Sequence, residues 1–147
     1  MASELLKCGA YSADINYRLF DLKSSVQIAV EALSYKKLEF FYDGKVSFIY
    51  LSDAELSEIG AKASDTETVC QLGRGIEGVQ VAAFMRQKEE GLYKVSVRSN
   101  NDADMAALCA SFGIGGGHKK AAGCSIYADN ADDAKLLFIE KVKGYLN

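Results

Sequence analysis

The residues best suited to chemistry lie in one glycine-rich stretch, Gly113 to Gly123, with the sequence GIGGGHKKAAG. It contains the only histidine among the 147 residues, His118. The three consecutive glycines before it have no Cβ, so a ligand can approach the backbone closely and positive φ is accessible. Lys119 and Lys120 follow directly. Backbone N–H groups and cationic side chains in this order predict a site for a small anion, with phosphate as the preferred ligand.

Two well-known phosphate loops do not fit this stretch. A Walker A motif counted from Gly113 requires glycine where His118 stands, and a dinucleotide fingerprint lies between a strand and a helix. Here the stretch is expected to be a loop that follows a helix and precedes a strand. The alternative interpretations are a helix C-cap with a flexible turn, an exposed or core histidine, and two solvated lysines.

Arg98 is the second candidate for binding an anion. Residues 92–99 alternate in polarity, so Lys94, Ser96 and Arg98 share the polar face of a predicted strand. Arg98 ends that strand and precedes the helix that leads to the glycine stretch, so both can flank one crevice. A guanidinium binds phosphate in a bidentate manner, although a surface salt bridge with one of the 20 acidic residues is the alternative.

The sequence offers little for catalysis. One histidine without clustered acidic residues does not suffice for a two-metal phosphoesterase centre, and no nucleophile stands at a meaningful spacing from it. Asp102 and Asp104 favour helix N-caps over a metal site. These observations predict a domain that binds and does not catalyse.

The order of the elements predicts an α/β fold, a single domain with a mixed β-sheet of about five strands flanked by helices. An Asp43-Gly44 link between two alternating runs predicts a hairpin with a two-residue turn. Ser52 with Glu55, and Ser64 with Glu67, match capping boxes that open two helices. Further strands are expected over 79–86, 92–99 and 122–128, and further helices follow the caps near Asp104 and at Asn130.

An apolar stripe near the start predicts a pair of core-facing helices with a break at Ser24-Ser25, with a coiled-coil seam as the alternative. The stripe comprises Ile15, Leu19, Leu22, Val26, Ala29 and Leu33.

Composition restricts the compartment and the partners. The net charge of −3 argues against coating long nucleic acids by charge, so any such binding should be local. Four widely spaced cysteines, without a signal peptide or membrane span, predict reduced thiols, a cytoplasmic location and no membrane partner.

Several stretches together resemble a known family. The segment 115–123 is similar to the glycine-histidine signature of the DHH-associated C-terminal domain. That domain follows the metal-binding DHH domain in RecJ-like exonucleases and in the nano-RNase/pAp-phosphatase type. Segments 15–20, 75–84 and 94–99 resemble the latter group more closely, and the resemblance covers essentially the whole chain.

The resemblance implies a metal-dependent parent phosphoesterase that cuts short oligoribonucleotides and removes a phosphate from 3′-phosphoadenosine-5′-phosphate. Its Mn²⁺ is held by the DHH domain, so this chain is expected to bind no cofactor and to be inactive alone. Residues 1–12 are expected to form a linker helix from that N-terminal domain, and residues 13–147 the substrate-binding domain. The implied substrate-binding residues are Arg98, Ser99, Gly115, Gly116, Gly117, His118 and Lys119.

The expected partners are short single-stranded RNA or a nucleotide phosphate, and the N-terminal DHH domain of the same parent chain. Self-association as a homodimer is left open. The alternatives are a parent similar to an exopolyphosphatase or pyrophosphatase, a non-catalytic RNA-binding module, and a purely structural oligomerisation domain.

Overall fold

The computed structural model describes residues 6–9 and 11–146. The expected linker helix over 1–12 therefore lies partly outside the described residues.

One mixed sheet of six strands organises this part of the chain, in the order β1-β2-β3-β4-β6-β5. Strands β2 and β3 are parallel, and every other neighbouring pair is antiparallel. The strands are β1 Glu39–Phe41, β2 Val46–Leu51, β3 Val81–Glu89, β4 Leu92–Ser99, β5 Ile114–His118 and β6 Ala121–Tyr127. The predicted α/β class with a mixed sheet is confirmed.

The sheet has six strands and not the predicted number of about five. The additional strand is the glycine stretch, which was expected to be a loop. Ile114–His118 forms β5 at the edge of the sheet, with Gly116 opposite Gly123 and His118 opposite Ala121 on β6. Glycine is a poor strand residue, so propensity argued against this assignment. The ladder of hydrogen bonds to β6 outweighs that preference.

Helices flank the sheet on both sides. They are α1 Ser12–Asn16, which continues into a π-helical turn at Tyr17–Asp21, α2 Ser25–Lys36, α3 Asp53–Glu58, α4 Val69–Arg74, α5 Met105–Ala110 and α6 Ala131–Val142. Short 3₁₀ turns occupy Ala63–Thr66 and Lys143–Tyr145.

Most of the predicted helix starts are confirmed by their caps. The Ser52 and Glu55 side chains form a capping box at α3, and Asn130 Oδ1 accepts a hydrogen bond from the Asp133 N–H at α6. Ser24 opens α2 in the same way, which confirms the break at Ser24-Ser25.

The predicted capping box at Ser64 and Glu67 is wrong. Asp65 instead accepts a hydrogen bond from the Lys62 N–H at 2.8 Å and closes the 3₁₀ turn Ala63–Thr66. Helix α4 begins only at Val69.

The predicted hairpin exists, but its turn is longer than two residues. Phe41 pairs with Val46, so four residues connect β1 to β2. Tyr42 and Asp43 both have a φ of 55° and Gly44 has a φ of 82°. The left-handed backbone at three successive positions gives the wider connection.

Two apolar clusters lie on opposite faces of the sheet. The larger lies between the sheet and helices α5 and α6, and includes Phe48, Val95, Met105, Leu108 and Phe138. The smaller lies under α2, α3 and α4 and includes Val30, Ile49, Leu51, Leu56 and Phe84.

The first half of the predicted apolar stripe does not enter either cluster. Ile15, Leu19 and Leu22 are 43%, 69% and 58% exposed. The core-facing interpretation is therefore wrong for α1 and its π-helical turn. Helix α2 packs on the sheet, through Val30.

Candidate functional site

Half of one sheet face is uncovered and presents polar side chains. Residues paired across an antiparallel ladder point to the same side, so three side chains from each of β4, β6 and β5 share this surface. We call this surface the open face; its members are Lys94, Ser96, Arg98, Ala121, Gly123, Ser125, Ile114, Gly116 and His118. Their neighbours along the strands, such as Val95, Val97, Ala122 and Cys124, point to the larger core.

The middle of the open face forms a depression between larger side chains. Its β6 members are Ala121, Gly123 and Ser125, whose side chains are all small, while β4 carries Lys94 and Arg98 on one side. On the other side stands His118, which is exposed. The open face is thus a shallow trough between a cationic strand and the imidazole.

Arg98 and His118 belong to one row across this trough. Ala121 pairs with Arg98 on one side and with His118 on the other. Adjacent strands lie about 4.8 Å apart, so the two Cα atoms are about 10 Å apart. That spacing allows two long side chains to contact one anion between them.

A groove of about 280 Å³ adjoins the β4 side of the open face. We call it the cation groove, because three cations and one carboxylate line it. These are Arg86, Lys94 and Arg98, with Glu67 on the segment that follows the 3₁₀ turn. The other lining residues are Ala63, Ser64, Thr66, Cys70, Phe84 and Ser96.

The cations of the groove are not neutralised by the protein. Within residues 6–9 and 11–146, Arg86, Lys94 and Arg98 have no ion-pair partner, and Arg98 Nη1 donates only to the carbonyl of Val97 at 3.0 Å. Other cations do have carboxylate partners, among them Arg18, Lys23, Lys37 and Lys135. The groove therefore keeps an excess of positive charge.

The floor of the groove includes a buried thiol. Cys70 Sγ donates to the carbonyls of Ala82 and Ser96 at 3.3 and 3.4 Å. Burial raises the pKa of Cys70 to about 12, although the positive charge of Arg98 opposes the shift. Cys70 is therefore a neutral packing residue and not a nucleophile.

The three central glycines differ in what surrounds them. A Cβ at Gly115 would lie 2.7 Å from Cys124 Cβ and would also contact the carbonyl of Cys109, so this glycine lets α5 approach the sheet. Gly117 has a φ of 143° and its Cβ would lie 2.7 Å from the carbonyl oxygen of Ala121. Gly116, by contrast, has no atom within 4 Å of its Cβ position among the described residues, and it faces the trough.

Ser99 points away from the open face. Its side chain is buried on the other side of the sheet. There Ser99 Oγ donates a hydrogen bond to Asn101 Oδ1 at 2.6 Å. Ser99 N–H donates to the carbonyl of Lys120 at 3.1 Å, which ties the end of β4 to the β5–β6 turn. The structure therefore brings Arg98, Gly116 and His118 to one surface and places the Ser99 hydroxyl elsewhere.

The two lysines of the β5–β6 turn are also distinct. Lys120 Nζ donates to the carbonyl of Asn101 and lies 3.3 Å from Asp102 Oδ1. Lys119 is exposed, and its carbonyl accepts a hydrogen bond from the Met105 N–H at 2.9 Å. Lys119 is thus the lysine whose ammonium is available at this end of the trough.

Sequence reasoning missed two of the three groove cations. Lys94 lies four residues before Arg98 on the same polar face of β4, so the two-residue alternation of the strand is a signal that could have identified it. Arg86 required the pairing of β3 with β4, where it lies opposite Lys94. The sequence carries no local signal for that register.

The described residues do not fit a metal ion. No group of three or more His, Cys, Asp or Glu side chains in ranges 6–9 and 11–146 is arranged to hold one. Nor does any described helix have the length and apolar character needed to cross a bilayer.

The fold and the site together define an α/β domain with a covered core and a half-open, cation-lined sheet face. Residues 43–144 match the family model of the DHHA1 domain. The chain belongs to the DHHA1 family, and the resemblance seen in the sequence is confirmed.

Three similar proteins are each longer than this chain. It is 32% identical over 144 residues to the bifunctional oligoribonuclease and PAP phosphatase NrnA of Thermus thermophilus, covering 97% of the chain and 42% of that protein. An exopolyphosphatase-related protein from Bacteroides fragilis has the same fold, with a TM-score of 0.87 at 24% identity over 98% of this chain and 42% of that one. A pGpG-specific phosphodiesterase, PggH of Vibrio cholerae, aligns with a TM-score of 0.60 at 13% identity, over 82% and 40%. The chain thus spans about two fifths of each relative.

Proposed function

We propose that the chain is the substrate-binding domain of a DHH-type phosphoesterase that acts on short oligoribonucleotides and on 3′-phosphoadenosine-5′-phosphate. The observation that carries this proposal is the row formed by Arg98, Ala121 and His118 across the open face. The identity of 32% to an oligoribonuclease and PAP phosphatase supports the substrate class. The metal chemistry would belong to the DHH domain of the same parent chain.

The part played by this chain is to hold a phosphate. Arg98 supplies two parallel N–H donors in a planar fork that matches the oxygens of a phosphate. His118 supplies a further donor from the opposite side of the trough, since either form of the imidazole carries an N–H. Gly116, two residues before His118 on β5 and opposite Gly123, leaves its backbone uncovered beside this row. A ligand held in this row is presented to whatever domain lies over the open face.

The test is equilibrium binding of 3′-phosphoadenosine-5′-phosphate by calorimetry. Arg98→Gln should weaken binding by about ten- to a hundredfold, because a hydrogen bond to a charged group is worth roughly 1.5–3 kcal/mol. His118→Gln should weaken it by roughly two- to tenfold, because it replaces a weaker hydrogen bond. The matched control is Lys143→Gln, which removes one exposed charge after α6.

Two results would overturn this site. If Arg98→Gln and His118→Gln both remain folded and bind as tightly as the unmodified chain, the row does not hold the ligand. If inorganic polyphosphate competes fully while adenosine nucleotides do not compete at all, the chain serves an exopolyphosphatase-like parent instead.

A further inference from the structure

Two of the four cysteines lie side by side in the larger core, directly behind the glycine strand β5. Cys109 is on α5 and Cys124 is on β6, and they are only 0% and 4% exposed. We call them the thiol pair. Cys124 is the cross-strand partner of Gly115. The thiol pair therefore lies against the strand that carries Gly116 and His118.

The lack of a side chain at Gly115 brings the two cysteines together. A Cβ built there would lie 2.7 Å from Cys124 Cβ and 2.9 Å from the carbonyl carbon of Cys109, so both residues border the same point. The Cys124 thiol donates a hydrogen bond to the Cys109 sulfur. Two sulfurs in such contact need only a small rotation of their side chains to reach the S–S bond length of about 2.05 Å.

The hydrogen bond also makes the two thiols unequal. It lowers the pKa of Cys109 and outweighs the opposing effect of burial, because the Cys124 thiol stabilises a thiolate on Cys109. The same hydrogen bond, together with burial, raises the pKa of Cys124, although the positive charge of Lys141 opposes the shift. Since the thiolate is the nucleophile, Cys109 is the sulfur that reacts first with an oxidant.

The other two cysteines have different surroundings. Cys70 donates to the backbone carbonyls of Ala82 and Ser96, and burial raises its pKa to about 12. Cys8 is exposed. Cys70 therefore offers a buried thiol for comparison within the same chain.

A bond between Cys109 and Cys124 would close a loop around part of the candidate site. Residues 110–123 lie between them and include all of β5 and the β5–β6 turn. Gly115 is already in close contact with both cysteines, so drawing the two sulfurs together displaces β5. Gly116 and His118 belong to the same strand and move with it.

We propose that Cys109 and Cys124 are a redox-sensitive modification site, whose disulfide displaces β5 and weakens ligand binding on the open face. The oxidant is a peroxide, in the simplest case hydrogen peroxide. Formation of the bond is independent of the proposed function, whereas its effect on binding rests on that function. Reversible sensing disulfides occur even where other thiols stay reduced.

The reaction has two steps. The Cys109 thiolate attacks one peroxide oxygen and the O–O bond breaks, which leaves a sulfenic acid on Cys109 and releases hydroxide. The Cys124 sulfur then attacks the Cys109 sulfur, and the oxygen of the sulfenic acid departs. The two sulfurs lose two electrons to the peroxide oxygens, and both thiol protons end in the two water molecules formed.

The experiment detects the bond by mass spectrometry in the full chain carrying Cys8→Ser, which removes the exposed thiol that could link two molecules. After treatment with hydrogen peroxide, the chain is denatured and its remaining thiols are capped with N-ethylmaleimide. The reduced chain should take up three caps and the oxidised chain one, on Cys70. Dithiothreitol should restore all three, whereas it leaves oxidised methionine unchanged.

Two further measurements report on the candidate site. His118 is the only histidine, so its imidazole protons are assigned directly in the NMR spectrum, and oxidation should shift them. The affinity for 3′-phosphoadenosine-5′-phosphate should fall by about three- to tenfold, the effect of roughly one weakened hydrogen bond. Both changes should be reversed by dithiothreitol.

The matched control is Cys8→Ser/Cys124→Ala, which cannot form the internal bond. Peroxide should shift neither its imidazole signals nor its affinity, and circular dichroism checks that it is folded. The mass measurement on the intact thiol pair does not depend on this variant.

Three outcomes would overturn the proposal. The first is that the chain still takes up three caps after peroxide treatment, and the second is a bond that includes Cys70. The third is a Cys109–Cys124 bond that changes neither the His118 signals nor the affinity. A failure of the proposed function looks different, because the reduced chain would then not bind the nucleotide, while the disulfide and the His118 shift would still be observed.

Discussion

On the face of the sheet that carries Arg98, strands β2 and β3 lie under α2 and α4, and α4 also contacts β4 through Cys70 and the Ser96 carbonyl. Strands β6 and β5 lie under none of the described helices on this face. The covered half presents Ile49, Leu51 and Phe84, which are almost fully buried. The open half presents cations, small residues and His118. Both halves follow the same two-residue alternation, so the difference lies in residue type and not in pattern.

The strand directions explain why such a division is stable. Parallel strands are normally covered on both faces, while antiparallel strands tolerate one face in water. Here the parallel pair β2–β3 lies in the covered half, and the antiparallel set β4–β6–β5 forms the open half. The uncovered surface therefore needs no second layer for folding, and it is free to bind a ligand or a neighbouring domain.

The largest expected effect on the free energy of unfolding comes from a core substitution in the covered half. Leu51 has no exposed surface, so Leu51→Ala should lower the free energy of unfolding by about 2–5 kcal/mol. Lys94→Gln on the open half should change it by no more than about 0.5 kcal/mol, because it is exposed. Urea denaturation followed by circular dichroism measures both. A comparable loss for Lys94→Gln would mean that the open half contributes to folding after all.

A smaller effect should separate two adjacent glycines of β5. Gly115→Ala places a Cβ against Cys124 and the carbonyl of Cys109, so we expect a loss of about 1–3 kcal/mol from overpacking. Gly116→Ala meets open space and should be neutral or slightly stabilising, since alanine restricts the unfolded chain. The same denaturation measurement applies.

Ligand binding provides a second way to distinguish Gly115 from Gly116. Gly116→Ala should weaken binding of 3′-phosphoadenosine-5′-phosphate despite its unchanged stability, because the Cβ projects into the trough. Equal stability losses at Gly115 and Gly116 would contradict the view that only one of them permits close packing of α5.

The sequence was informative where local rules apply. Alternation in residues 92–99 placed Arg98 on the polar face, and the caps at Ser52 and Asn130 fixed helix starts, because these depend on neighbours within three residues. The Ser64 prediction failed although it used the same rule. The Lys62 N–H and Asp65 carboxylate made a competing local turn there.

Long-range pairing could not be derived in the same way. That the glycine stretch forms β5, and that Arg86 lies beside Lys94, both follow from ladders between segments whose register is set by the assembled sheet. The exposed Ile15, Leu19 and Leu22 make the same point, since apolar spacing predicts a helix face but not what will cover it.

The smallest expected effect concerns the helices that cover the first half. Lys37, at the end of α2, contacts Glu55 of α3 at 2.5 Å between Nζ and Oε1. Burial of the Glu55 carboxylate raises its pKa, but the hydrogen bonds from Lys37 and Ser52 outweigh burial and lower the pKa to about 2, from an ordinary value of 4.5. Because the folded state favours the ionised form, this contact stabilises the protein above about pH 5 and the contribution is lost as pH falls toward 2.

Glu55→Gln should therefore lower the free energy of unfolding by about 1 kcal/mol at pH 7, the usual size of a lost helix cap. The difference from the unmodified chain should shrink steadily between pH 5 and pH 2, as the Glu55 carboxylate of the unmodified chain becomes protonated. Urea denaturation at pH 7, 4 and 3 measures it, and Glu58→Gln, at the exposed end of the same helix, reports the effect of charge alone. A difference that stays constant over this range would mean that the Lys37–Glu55 contact does not hold the covering helices together, and that burial of Leu51 and its neighbours does so alone.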